Sequence, residues 1–216
     1  MKYLKMFGLA AAASALMAFA ATGSASASVL CSTTVSPCPQ AQIWPAAPAV
    51  DLSSENSGGT GAGKAVLEDS FGIVKNECDS TVQGNLTNGS ATATAKLSGI
   101  AMTWSNCNRH TTTIRTGPLE IHNIAGTSNG TVTASGFEIT SVFPEVFGGG
   151  EVSCVFETGP ALDLGTLTEG NPATMDVSTT MTLGPGQPAE CPSTAKWTAK
   201  YKVTAPSNTT GSLSTS

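Results

Sequence analysis

The sequence predicts an all-β protein: an antiparallel β-sandwich of about eight to ten short strands, reinforced by disulfide bonds. Apolar and polar residues alternate with a period of two in several segments, and Asn-Gly and Gly-rich turn signals separate these segments. No long stretch after residue 27 carries a helical period. This pattern fits a sandwich or a barrel, and we expect a sandwich of the immunoglobulin-like or jelly-roll-like kind.

The first 27 residues have the three parts of a secretory signal peptide. Lys2 and Lys5 form a basic start, residues 6–21 are almost entirely apolar, and Ala25-Ser26-Ala27 is a small-residue cleavage site. An uncleaved membrane anchor is the alternative, but the apolar run is short for a membrane span. We therefore expect cleavage after Ala27, no membrane span in the mature chain, and a secreted, extracellular or cell-surface location.

The charge balance argues against nucleic acid as a partner. Residues 1–27 hold two of the ten basic residues and none of the fifteen acidic ones, so the mature chain has a net charge of −7. Nucleic acids and anionic membrane surfaces both require clusters of Lys and Arg. Neither is expected to bind here.

Six cysteines, an even number, predict disulfide bonds in an exported chain. Close C-x-x-C pairs, which are typical of zinc sites, do not occur. Fifteen pairings are possible for six cysteines, and we prefer the sequential one because neighbouring elements of an antiparallel chain tend to lie side by side. The expected bonds are Cys31–Cys38, Cys78–Cys107 and Cys154–Cys191.

Residues 28–63 are rich in Pro, Gly and Ser and are expected to be irregular, with Cys31 and Cys38 closing a small loop. Trp44 is the large aromatic residue of this segment. It either plugs one end of the core or stacks on a ligand as an exposed ring.

Residues 64–206 form the predicted sandwich domain, and residues 207–216 a flexible tail. The alternation is clearest over residues 173–183 and 197–204, where one side of each strand is apolar and the other is polar. One-sided burial of this kind is typical of antiparallel sheets. The alternation changes phase at Ser98-Gly99 and again at Ser135-Gly136, and both positions predict β-bulges.

The residue types offer little for catalysis. His110 lies beside Arg109 in a polar stretch and is expected at the surface. Glu120 and His122 would share one strand face, which is the geometry of a two-ligand metal edge or an acid–base pair, but any polar strand face produces it by chance. We predict no catalytic, cofactor-binding or metal-binding residue. Trp104, like Trp44, is a candidate ligand-stacking residue.

Five segments have a distinctive sequence: residues 29–31, 117–126, 163–167, 170–176 and 191–201. Together with the leader they resemble a group of uncharacterised exported β-rich proteins of soil actinobacteria. The resemblance spans most of the mature chain, and its last third is the most specific part. The layout is also similar, more distantly, to the secreted alkane-oxidation activator family of the biofilm matrix. The resemblance implies a bacterial, exported protein and supplies no active site.

These observations predict an exported, non-enzymatic binding or structural protein of the cell surface or extracellular matrix. Its expected partners are further copies of itself, through edge strands, or a polymer of the cell envelope or matrix. A secreted module that binds a carbohydrate or a small apolar ligand is the first alternative. A hydrolase with an unrecognised carboxylate pair is the second.

Overall fold

The computed structural model describes residues 30–31, 39, 41, 43, 49–54, 63–88, 94–124, 127–145, 149–170 and 172–204. These residues contain twelve β-strands and no α-helix, which confirms the all-β prediction. In chain order, the strands are β1 Ala49–Ser54, β2 Ala65–Asp69, β3 Lys75–Thr87, β4 Ala95–Ser105, β5 Thr111–Arg115, β6 Leu119–Asn123, β7 Gly130–Ala134, β8 Glu138–Pro144, β9 Glu151–Glu157, β10 Leu162–Thr168, β11 Ala173–Leu183 and β12 Thr194–Thr204.

The predicted open sandwich is wrong, because the sheet closes into an eight-stranded antiparallel barrel. The barrel runs β1-β3-β4-β6-β7-β10-β11-β12, and β12 pairs again with β1. Alternating burial is the same in a sandwich and in a closed barrel, since each strand still has one inner and one outer face. The pairing of β1 with both β12 and β3 decides between them.

Strands β1 and β2 both lie between β3 and β12 in the barrel wall. Strand β1 pairs with residues 81–85 of β3 and residues 201–204 of β12, while β2 pairs with residues 75–78 and 195–198 of the same two strands. The two short strands therefore follow one another along the wall. Strand β1 lies within residues 28–63, the segment expected to be irregular.

Three strands extend the sheet beyond the barrel. Strand β9 pairs with the end of β11, β8 pairs with β9, and β5 pairs with β8; we call these three strands the side sheet. The side sheet lies against the barrel end where β3 begins, because Asn76 Nδ2 donates to the Val142 carbonyl at 2.9 Å. The Trp104 indole also donates to Thr113 Oγ1 on β5 at 2.9 Å.

The barrel interior is filled by side chains. Strands β11 and β12 bury the faces that the alternation predicts, including Met175, Val177, Trp197 and Tyr201. At the other end Leu30 packs inside the barrel, where its backbone N–H donates to Asn88 Oδ1 at 2.8 Å. An apolar cavity of about 20 Å³ lies among these side chains, which is about the space of one water molecule. The described part of the interior is therefore packed as a core.

Two of the three expected disulfide bonds are present. Cys78 is bonded to Cys107 and Cys154 to Cys191. Cys31 is also disulfide-bonded, but its expected partner Cys38 lies outside the described residues. The predicted signal peptide 1–27 and the predicted tail 207–216 lie outside them as well. Within the described ranges, no helix is long and apolar enough to cross a membrane.

The two predicted bulges have different outcomes. Gln83 of β3 pairs with Ala101, and Asn85 pairs with Ser98, so β4 carries one extra residue at Gly99, whose φ is +60°. That bulge is confirmed. Ser135-Gly136 instead lies between β7 and β8, where the chain leaves the barrel for the side sheet.

Candidate functional site

An open groove of about 870 Å³ lies at the end of the barrel next to the side sheet. Three pieces of chain form it: the turn between β2 and β3, the end of β8, and the loop between β11 and β12. Its lining residues are Asp69, Ser70, Phe71, Ile73, Val74, Phe143, Pro144, Glu145, Ala189, Glu190, Cys191, Pro192 and Ser193.

The β2–β3 turn exposes two large apolar side chains to solvent. Phe71 is 76% exposed and Ile73 is 80% exposed, more than any other large apolar side chain that the structure describes. The backbone N–H groups of Ile73 and Val74 donate to Asp69 Oδ1 at 2.8 and 3.2 Å, and the Gly72 N–H donates to the Asp69 carbonyl at 3.0 Å. Asp69 therefore fixes the turn, and the exposure of Phe71 and Ile73 is a property of an ordered segment.

The loop between β11 and β12 is tied down at several points. The Cys154–Cys191 bond joins it to β9, and the Val155 N–H donates to Gln187 Oε1 at 3.0 Å. The Leu183 N–H donates to the Ser193 carbonyl at 3.0 Å, so the loop closes as it enters β12. This wall of the groove is preformed, which lowers the entropy cost of binding a partner.

The polar lining of the groove is acidic. Asp69, Glu145 and Glu190 supply three carboxylates, and no Lys, Arg or His is among the lining residues. None of these three carboxylates forms an ion pair with a described residue. The groove therefore combines apolar surface with a negative charge that nothing nearby in the described chain neutralises.

Trp104 is only partly available to a ligand. Its ring lies 6.1 Å from the ring of the buried Trp197, and its indole N–H donates to Thr113. These contacts place it between the barrel and β5, away from the lining of the groove. Trp44, the other candidate stacking residue, lies outside the described residues.

Glu120 and His122 share the outer face of β6, as predicted. Glu120 Oε1 lies 2.7 Å from Lys96 Nζ, and Glu120 Oε2 lies 4.0 Å from His122 Nε2. The hydrogen bond from Lys96 lowers the pKa of the Glu120 carboxyl. His122 Nε2 is also 3.2 Å from Thr133 Oγ1. The pair is part of a surface ion-pair network that includes Lys96.

His110 is exposed, as predicted, and its carbonyl accepts the Val142 N–H at 3.0 Å. A search of the described ranges finds no group of three or more His, Cys, Asp or Glu side chains that could hold a metal ion. Burial raises the pKa of the Tyr201 hydroxyl. Tyr201 lies inside the barrel and does not line the groove.

The sequence analysis did not single out Phe71 or Ile73. The available signal was an apolar pair on either side of Gly72, between the polar residues Asp69-Ser70 and Lys75. Such a pair is compatible with an ordinary buried turn, and only the fold shows that both side chains face solvent.

The chain was compared with known families and structures. No family model, no curated protein and no solved structure matches it. The resemblance to exported actinobacterial proteins therefore stays a prediction from the sequence.

Proposed function

We propose that this chain is an exported, non-enzymatic binding protein that contacts its partner through the groove, with the closed barrel as a rigid scaffold. The observation that carries the proposal is the ordered exposure of Phe71 and Ile73 beside a preformed 870 Å³ groove. Burying a side chain of this kind is worth about 1.5–3 kcal/mol. A partner that covers both gains that free energy without ordering the turn.

Export is supported by the form of residues 1–27 and by the disulfide bonds. Cys78–Cys107 and Cys154–Cys191 are of the kind that persists in oxidising compartments outside the cytosol. The resemblance to exported proteins points the same way. A cell-surface or matrix location follows from the proposal only if the partner is held there.

Contact through the groove is a better route to a partner than edge pairing between copies. A closed barrel has no free strand edges. Of the described strands, only β5 has a single neighbour, and its pairing with β8 is interrupted between Thr113 and Arg115. An edge so short and irregular is a poor template for assembly.

The experiment fractionates cultures that produce the wild type, the double variant Phe71→Ser/Ile73→Ser, or the control Ile114→Ser. Ile114 is also exposed, at 56%, but does not line the groove. We expect wild type and control to be retained with cells, matrix or a larger complex, and the double variant to be a free monomer in the medium.

Two results would count against the proposal. One is free monomer for all three proteins. The other is turnover of a polysaccharide substrate that Glu145→Gln or Glu190→Gln abolishes, because that would make the groove the active site of a hydrolase.

A further inference from the structure

We propose that the groove binds a cationic, amphipathic peptide segment of another protein, one that places an apolar side chain next to Lys or Arg. This inference rests on the proposed function and specifies the chemistry of the partner. It follows from two properties of the groove: the sign of its charge and its openness.

The sign of the charge selects the partner. Asp69, Glu145 and Glu190 line the groove without a cation among the lining residues. A carboxylate that is covered by a neutral or acidic partner loses water without compensation, and this is costly. A Lys or Arg on the partner neutralises the charge and adds charge-assisted hydrogen bonds.

Glu145 and Glu190 are the two carboxylates of the groove that can pair with a Lys or Arg of the partner. Asp69 Oδ1 already accepts the N–H groups of Ile73 and Val74. Glu145 lies on the β8 side of the groove and Glu190 lies on the β11–β12 loop. Because the two carboxylates lie on different pieces of chain, we expect more than one cationic side chain near the apolar residue that contacts Phe71 and Ile73.

The openness of the groove favours a peptide over a small molecule. Small-ligand sites enclose most of the ligand surface, whereas Phe71 and Ile73 project into solvent at the edge of this groove. A polypeptide covers projecting side chains of this kind while its neighbouring residues reach the carboxylates. A second copy of this chain is a poor occupant because it is also acidic, with a net charge of −5 over all 216 residues.

The experiment pans a random peptide display library against the purified mature protein, residues 28–216. We expect enriched peptides to combine an aromatic or aliphatic residue with Lys or Arg and to lack Asp and Glu. Enriched peptides are then synthesised and titrated against Phe71→Ser/Ile73→Ser, Glu145→Gln/Glu190→Gln and the control Ile114→Ser. Asp69 is left unchanged because it holds the turn.

We expect both double variants to weaken binding at least tenfold and the control to change it less than twofold. Raising the salt concentration should weaken binding to the wild type and have less effect on the Gln variant. Both double variants replace exposed or half-buried side chains, so they are expected to fold.

The possible outcomes distinguish failure of the cationic partner from failure of the groove as the binding site. Neutral or acidic peptides that need Phe71 and Ile73 but not the two glutamates overturn the cationic partner and leave the groove as the binding site. No enrichment, or peptides that bind all variants equally, overturns both proposals.

Discussion

At the scale of single residues, the contact between Ser80 and Tyr201 joins two walls of the barrel. Ser80 lies on β3 between the residues that pair with β1 and those that pair with β2, and Tyr201 on β12 pairs with Ser54 of β1. Tyr201 Oη is 3.0 Å from Ser80 Oγ, and both side chains are buried. Burial raises the pKa of the Tyr201 hydroxyl above its usual value of about 10, and the Ser80 hydroxyl offsets part of that shift.

Tyr201 makes the protein sensitive to alkali. A folded-state pKa above the unfolded one means that its contribution to stability is complete below about pH 10 and is lost as the pH rises through the folded-state value. Tyr201 is the only tyrosine after residue 27, so tyrosinate absorbance reports it alone in a protein of residues 28–216. We expect that absorbance to appear together with unfolding, and the alkaline loss of stability to be shallower in Tyr201→Phe. Tyrosinate formed in a still-folded protein would contradict this.

The Lys96–Glu120 pair makes a smaller, acid-sensitive contribution. Because the pKa of Glu120 is lowered, its contribution is present above about pH 4.5 and is lost as the pH falls through the folded-state pKa. Both side chains are more than a third exposed, so Glu120→Gln should cost no more than about 0.2–1 kcal/mol at pH 7. Lys96→Gln should cost the same in urea unfolding, and the double variant no more than either. Additive losses would show that the two residues act separately.

At the scale of elements, close packing of β10 on β11 depends on Gly165. Its φ is +146°, and a Cβ atom would lie 2.0 Å from the Asp176 carbonyl oxygen. Gly186 also has a positive φ, +72°, but a Cβ there meets nothing within 4 Å. The two positions therefore separate a steric clash from backbone strain alone.

Gly165→Ala should lower the free energy of unfolding by at least about 3 kcal/mol. Backbone strain accounts for about 1–3 kcal/mol, and the clash of the new Cβ with the Asp176 carbonyl adds to it. Gly186→Ala should cost only about 1–2 kcal/mol. Urea unfolding followed by tryptophan fluorescence measures both. Equal losses would mean that β10 and β11 separate without consequence for the barrel.

The Cys154–Cys191 bond stabilises the fold and shapes the groove. Its loop of 37 residues corresponds to about 3–4 kcal/mol in the chain-entropy model. We expect Cys154→Ser/Cys191→Ser to lose about that much stability and to bind groove ligands more weakly, because residues 189–193 line the groove. Removing Cys78–Cys107, whose cysteines do not line the groove, should cost similar stability and leave binding unchanged in the folded protein. A groove unaffected by the first change would show that the loop is held by its hydrogen bonds alone.

Much of the structure at the scale of elements could be predicted from the sequence, because it depends on residues that are close along the chain. The strand alternation of β11 and β12, the bulge at Gly99 and the two described disulfide pairings follow from side-chain period, glycine conformation and chain proximity. The side sheet could not be predicted in this way. The turn at Gly136 has the same sequence pattern as the bulge at Gly99, and only the pairing of β8 with β9 and β5, neither of which is a barrel strand, shows that the chain leaves the barrel there.

At the scale of the whole molecule, closure depends on β1 pairing with β12, two strands at opposite ends of the described chain. A periodic pattern carries no information on which strand is the neighbour, and for that reason the sandwich prediction failed. The groove is equally non-local. Residues 69–74, 143–145 and 189–193 meet only after the barrel has closed and the side sheet has formed.

The closed barrel acts as the scaffold, and the groove is the proposed binding site. The described part of the barrel interior is packed as a core, with a cavity of about 20 Å³, so binding falls to the surface. Among the described residues, the surface has a groove in which Phe71 and Ile73 are exposed on an ordered turn and in which Asp69, Glu145 and Glu190 form no ion pair. The proposed function therefore depends on whether a partner binds in that groove.

The most direct test is a titration of the purified protein, residues 28–216, with a fluorescently labelled peptide enriched from the display library. We predict saturable binding at one site by the wild type and by Ile114→Ser, with at least a tenfold loss of affinity in Phe71→Ser/Ile73→Ser. Equal binding by all three proteins, or no saturable binding by the wild type, would contradict the claim that the groove is the binding site.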